Sequence, residues 1–164
     1  MISIEIKNIK EILRNRDSLE EKLKGKIKLK NKTLTLQAEP FDEYEAQRVF
    51  DALSLGFSVE KALKVLDEEI NFIKINIKDY ANTKNLEVVR SRLIGTHGKT
   101  KKTIEEITKC DIVISDNQVG IIGPANISES ALVAVSNIIK GTKQANAYRY
   151  LEKINTQRKT KIKK

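Results

Sequence analysis

Ile94-Gly95-Thr96-His97-Gly98-Lys99-Thr100-Lys101-Lys102-Thr103-Ile104 is the stretch whose reading decides the fold. An apolar helical run over 86–94 leads into Gly95, and a second helix leaves Gly98 and runs through Cys110. Two helices joined through four residues need a backbone that accepts positive dihedrals and close approach, which glycine allows because it has no Cβ. The second helix begins at the turn, so its unbonded amides and the positive end of its dipole are offered to an anion. Arg90, Arg92, Lys99, Lys101 and Lys102 surround the turn, with no acidic residue between 90 and 102. Gly95, Thr96, His97 and Gly98 are therefore candidates to hold a phosphodiester backbone, with the five cations neutralising phosphates, contacts that give affinity and little sequence information.

Working outward, Ile112 and Ile114, a turn at Asp116-Asn117, Val119 and Ile121, and a helix over 126–140 follow, and Ile73, Ile75 and Ile77 precede at strand spacing. The first half has the same order. Ile2, Ile4 and Ile6 alternate, a charged helical stretch covers 7–24, Ile27, Leu29, Leu34 and Leu36 flank Asn31-Lys32, and a helix covers 42–55. A shift of 85 positions places Ile27 on Ile112, Leu29 on Ile114, Leu34 on Val119, Leu36 on Ile121, Ala46 on Ala131, Gly56 on Gly141 and Leu66 on Leu151. Self-similarity that keeps strand, turn and helix in one register points to duplication. The expectation is an α/β chain of the α+β kind: two tandem β-α-α-β-β-α units, each with a three-stranded antiparallel sheet and an extra C-terminal helix, over 1–70 and 71–157, then a basic tail over 158–164.

The net charge of +9 is unevenly spread. Residues 1–82 hold 15 Lys/Arg and 15 Asp/Glu, whereas 83–164 hold 16 and 7, so the half with the glycine turn is the one expected to meet a polyanion. No apolar run nears the ~20 residues of a membrane span, and Met1-Ile2-Ser3-Ile4-Glu5-Ile6-Lys7 alternates like a strand rather than a secretory leader, which favours a soluble, cytoplasmic protein with no membrane partner. One cysteine, Cys110, and one histidine, His97, make neither a disulfide nor a complete zinc site, and no metal or cofactor is expected. Asp67, Glu68 and Glu69 are consecutive on a helix and do not face one point. No Ser or Cys arrangement marks an activated nucleophile, so no catalytic residue is assigned.

Selectivity for bases needs apolar platforms beside the clamp, and Ile94, Ile104, Ile112 and Ile114 are the candidates, with core packing the competing assignment for Ile104 and Ile112. Arg149, in the extra helix after the second unit, is a further candidate RNA contact, while its neighbours Tyr148 and Tyr150 suit packing. The run from Ile94 through Gly98, followed by Ile104, Ile107, Thr108, Cys110, Ile112 and Ile114, resembles the KH-domain pattern through its second strand. It departs from that pattern at Lys101, where an aliphatic residue is usual. Gly98-Lys99-Thr100-Lys101 followed by Thr103-Ile104-Glu105 is similar to the Partner-of-NOB family of KH proteins, also called Dim-type small-subunit ribosome assembly factors, and the likeness extends over nearly the whole chain.

The resemblance implies a degenerate first KH unit and an RNA-binding second one. The first unit has Arg14-Asn15-Arg16-Asp17 at the place of the glycine turn. It further implies single-stranded ribosomal RNA near the 3′ end of the small-subunit precursor as ligand, with the NOB-type endonuclease and translation initiation components as partners. The start close to the first strand looks like the compact archaeal form. The other reading is a KH-fold adaptor that docks proteins and touches RNA incidentally.

Overall fold

The computed structural model describes residues 1–163, with side chains through residue 160. Contacts divide the chain between Phe72 and Ile73. In the first unit, β1 (Ile2–Glu5) leads into α1 (Ile9–Arg14) and α2 (Arg16–Leu23). β2 (Gly25–Lys30), β3 (Thr33–Ala38) and α3 (Pro40–Leu55) follow, then a short α4 (Val59–Leu63) and one 3-10 turn, Lys64–Leu66. The second unit runs from β4 (Ile70–Asn76), whose first three residues precede the division, through a 3-10 turn at Ile77–Asp79, α5 (Leu86–Ile94), α6 (Lys99–Thr108), β5 (Asp111–Ser115), β6 (Gln118–Pro124) and α7 (Ala125–Lys140) to α8 (Gln144–Lys163). The sheets are ordered β1-β3-β2 and β4-β6-β5.

The duplication is visible in atomic detail. Ile27 pairs with Leu36 and Leu29 with Leu34, and 85 residues on, Ile112 pairs with Ile121 and Ile114 with Val119. Left-handed backbone recurs at the same interval, at Lys24 and Lys109, Asn31 and Asp116, and Gly56 and Gly141. These are the points where a helix or hairpin must reverse, and αL geometry is how short connections do so. A side-chain device repeats as well. Arg16 Nε donates to Glu20 at 3.1 Å and the Ile27 amide donates to the same carboxylate at 3.2 Å; Lys101 pairs with Glu105 at 2.9 Å, and the Ile112 amide donates to Glu105 at 3.1 Å. Each carboxylate satisfies an amide on the free edge of an edge strand, which otherwise lacks a ladder partner. The Arg16 hydrogen bond, followed by the Ile27 amide, holds the Glu20 carboxyl below the usual carboxylate range.

Because Arg16 matches Lys101, Arg14-Asn15-Arg16-Asp17 is not a degenerate four-residue turn. Helices α1 and α2 meet at Asn15 alone, whose Nδ2 donates to the Glu11 carbonyl at 2.8 Å. The first unit has no backbone cradle there. The extra helices also differ, five residues in α4 against twenty in α8. Over the stretch expected as a basic tail, 158–164, helix α8 continues through Lys163, and Arg158 is half-buried with Nε and Nη1 enclosed. The remainder of that basic cluster, beyond residue 160, lies outside the described side chains.

One pair of small residues has exchanged between the repeats. Gly25 lies opposite Ala38, and a Cβ on Gly25 would stand 2.8 Å from the Ala38 Cβ; 85 residues on, a Cβ on Gly123 would stand 2.3 Å from Cys110 Sγ. The second unit thus spends its space on the cysteine, buried at 2% exposure with its thiol pushed up by burial. Gly123→Ala is expected to destabilise by about 2 kcal/mol through overpacking. The double variant Cys110→Gly/Gly123→Ala, which installs the first unit's pair, is expected to recover most of it in urea denaturation. Additive losses would show that the two residues do not share one space.

Candidate nucleic-acid interface

Helix α5 starts at Asn85, whose side chain accepts from the Val88 amide, and buries Val89 and Leu93. It ends where Gly95 takes φ 76° and ψ 172°, with its amide donating to the Ser91 carbonyl at 2.8 Å. That backbone region is essentially reserved for glycine. A Cβ at Gly95 would also lie 2.2 Å from Thr100 Oγ1 and 2.6 Å from the Thr100 amide nitrogen. His97 and Gly98 then take left-handed dihedrals, φ 55° and 74°, and the Gly98 amide closes the turn onto the Gly95 carbonyl at 3.1 Å. Among the described residues, nothing lies within 4 Å of the place where a Gly98 Cβ would project, and no side chain caps the N-terminus of α6. The result is a tight turn with an open approach to the first amides of a ten-residue helix.

The nearby cations divide into two groups. Lys99 and Lys102 are exposed, beside the exposed His97 and Thr96. Arg90 instead ties α5 to the β5–β6 turn, with Nη1 donating to the Asp116 carbonyl at 3.2 Å and to Asn117 Oδ1 at 2.8 Å. Arg92 reaches the Ile139 carbonyl at 3.4 Å near the end of α7, and its Nε is enclosed with no hydrogen-bond partner among the described residues. Lys101 is held by Glu105, and this explains its departure from the aliphatic pattern: it belongs to the repeated carboxylate device. Arg90 and Lys101 serve the scaffold before they serve a ligand.

Two of the four groove isoleucines are corrected. Ile104 and Ile112 are 1% and 3% exposed and sit in the apolar core with Leu93, Val119 and Ile121, so no base can rest on them. Ile94 is 37% exposed at the lip of the turn and remains as apolar surface, whereas Ile114 on β5 is half-buried and packs against the same core, leaving only part of its side chain uncovered. Arg149 is exposed on α8. Its neighbour Tyr148, read from sequence as packing, lines a cleft of about 640 Å³ together with Val88, Ser91, Arg92, Thr96, Lys99 and Gln144. Sequence reasoning missed this wall because α8 returns to the turn from some fifty residues downstream. Val88 did carry a signal, since helical spacing turns Val89 and Leu93 inward and leaves Val88 an apolar residue on the outer face, 50% exposed.

A β-α-α-β-β-α unit with a glycine turn between its first two helices defines a KH domain, and a family model described as the eukaryotic type KH-domain (KH-domain type I) matches residues 71–156. A KH domain-containing protein of Methanocaldococcus jannaschii, MJ0443, is 31% identical over 71% of this chain and 52% of its own length. The pre-rRNA-processing protein PNO1 of Debaryomyces hansenii is 30% identical over 84% of the chain and 57% of its own length. Among solved structures, Dim2p from Pyrococcus horikoshii superimposes with TM-score 0.79 at 26% identity, covering 93% of this chain and 98% of that one. The a/eIF2alpha-aDim2p-rRNA complex from the same organism gives TM-score 0.81 at 25% identity, covering 95% and 94%. The chain belongs to the PNO1/Dim2 family of KH ribosome assembly proteins, of archaeal type. It spans about half the length of the curated relatives it matches.

Proposed function

We propose that this protein binds a single-stranded segment of small-subunit ribosomal RNA, near its 3′ end, as a cytoplasmic, non-catalytic factor in ribosome assembly and rRNA processing. The observation that carries the reading is the turn itself. Gly95 to Gly98 presents an uncapped helix N-terminus behind open space, flanked by the exposed Lys99 and Lys102. A phosphate reaches those amides with no side chain in the way. Ile94 and Val88, with the uncovered part of Ile114, are the apolar surface available to unstacked bases. Rejecting catalysis has a chemical basis: Cys110 is buried with its thiol pushed up, and His97 stands exposed in a turn.

The first unit, lacking the turn, is the protein-facing half. On helix α3 it exposes Phe41 at 76% and Tyr44 at 70%, large aromatics that folding alone leaves in water. A partner among the translation initiation components agrees with the complex in which the Pyrococcus protein is joined to both a/eIF2alpha and rRNA. The NOB-type endonuclease is the second partner we assign, on family resemblance.

Salt dependence tests the electrostatic part. With about three phosphates held by Lys99, Lys102 and the helix N-terminus, the logarithm of affinity for a single-stranded rRNA 3′ fragment is expected to fall against log salt with a slope near −2. A flat titration by fluorescence anisotropy would remove phosphate capture from the mechanism.

A further inference from the structure

The first unit's balanced charge hides a sorted surface. Along β2 and its flanks, Lys24, Lys26, Lys28, Lys30 and Lys32 recur at every second position, and all five are exposed. Ile27 and Leu29 turn toward the helices, so Lys26, Lys28 and Lys30 share the outer face of the sheet, about 6.7 Å apart along the strand. Their cross-strand neighbours are Gln37, Thr35 and Thr33, and one strand further on Ser3 bonds Thr35 through hydroxyls at 3.1 Å. The acidic residue on this face is Glu5, opposite Thr33. Lys26 lies 3.6 Å from Glu20 but is 85% exposed, a loose pair.

The duplicated fold supplies an internal control. At an interval of 85 residues the inward positions stay apolar, Ile27 with Ile112 and Leu36 with Ile121, whereas outward Lys26, Lys28 and Lys30 become Asp111, Val113 and Ser115. Edge strands often carry lysine to prevent pairing with another chain. Here β5, the equivalent edge strand, does without a single lysine, so the architecture does not require the ladder. Like charges at this spacing repel, and their separation suits a row of phosphates.

We propose that the outer face of the β1-β3-β2 sheet is a second RNA-binding surface, one that takes the sugar-phosphate backbone of double-helical RNA. Within the three strands the face has no aromatic or large apolar residue for an unstacked base to rest on or for a protein hot spot to anchor, and the exposed Met1 just precedes β1. It has cations, hydroxyls and an amide, the groups that meet phosphates and 2′-hydroxyls when bases are hidden in a duplex. It lies apart from Phe41 and Tyr44, which are on α3.

The test uses the full chain and an RNA duplex of mixed sequence, whose paired bases cannot reach the apolar surface beside the glycine turn. Lys26→Gln/Lys28→Gln/Lys30→Gln is expected to lower duplex affinity by on the order of 30-fold and to flatten the salt slope by about 2 to 3. Gly98→Asp should lower duplex affinity by less than about 3-fold while it lowers single-strand affinity far more, so the two RNA sites stand or fall separately. Removing the same charge on the helices, with Lys10→Gln/Arg14→Gln/Lys22→Gln, should cost less than 3-fold if position rather than net charge matters. Unchanged duplex affinity in the ladder variant overturns the assignment. So does a loss confined to polyglutamate, which would mark an acidic protein partner, or self-association of the variant with RNA binding intact, which would mark the lysines as edge guards.

Discussion

Gly98→Asp is expected to weaken binding to a single-stranded fragment of the small-subunit rRNA 3′ end by two orders of magnitude or more, with little change in stability. Gly98 has φ 74° and ψ 14°, left-handed geometry that aspartate tolerates at a cost of about 1 kcal/mol, and its side chain would project into open space. On the proposed reading the carboxylate then stands where phosphate oxygens would approach the first amides of α6, adding like charge and competing for the same donors. Anisotropy for the fragment and a thermal melt of the same sample separate the two effects. Affinity within about 3-fold of the parent, in a folded protein, would take the turn out of RNA binding.

Gly95→Ala should do the reverse damage, to the fold, by about 3 kcal/mol or more. Gly95 combines φ 76° with ψ 172°, a region that costs any other residue roughly 1–3 kcal/mol. The new methyl would also stand 2.6 Å from the Thr100 backbone nitrogen, which no rotamer change relieves, and Thr100 is only 5% exposed. Urea denaturation of Gly95→Ala beside Gly98→Ala makes the comparison sharp, since the second variant meets nothing and suffers dihedral strain alone. Equal stabilities would mean that the packing of Thr100 under Gly95 does not hold the turn. The two glycines of one motif are thus expected to be required for different reasons, Gly95 by the crowding of Thr100 and Gly98 by the proposed access of a phosphate.

The repeat was legible because its signal is periodic. Core-facing residues on a strand recur at two and the whole unit recurs at 85, so Ile27, Leu36, Ile112 and Ile121 declare both their facing and their duplication. The glycine turn was legible for a similar reason, as few residue types allow that backbone. The ligand-facing side chains were harder. An isoleucine in the right strand reads alike whether it lines a groove or fills a core, and Ile104 and Ile112 proved to be core. A cation reads alike whether it is free or already bonded, and Arg90 and Lys101 were bonded within the protein. Net charge misled as well: fifteen acids matched fifteen bases in the first half, yet the strand pleat gathers Lys26, Lys28 and Lys30 on one face.

The chain alone thus determined the order of elements, the duplication, and the place of the Gly95–Gly98 turn in the second unit, because local spacing and backbone permission are properties of neighbours in sequence. Which cations remain free, which isoleucines stay at the surface, and how α8 brings Tyr148 back beside the turn were decided only by tertiary structure. Each depends on a contact between residues far apart in the chain, Arg90 with Asn117 or Tyr148 with the Gly95 turn, and no local pattern encodes where such partners meet.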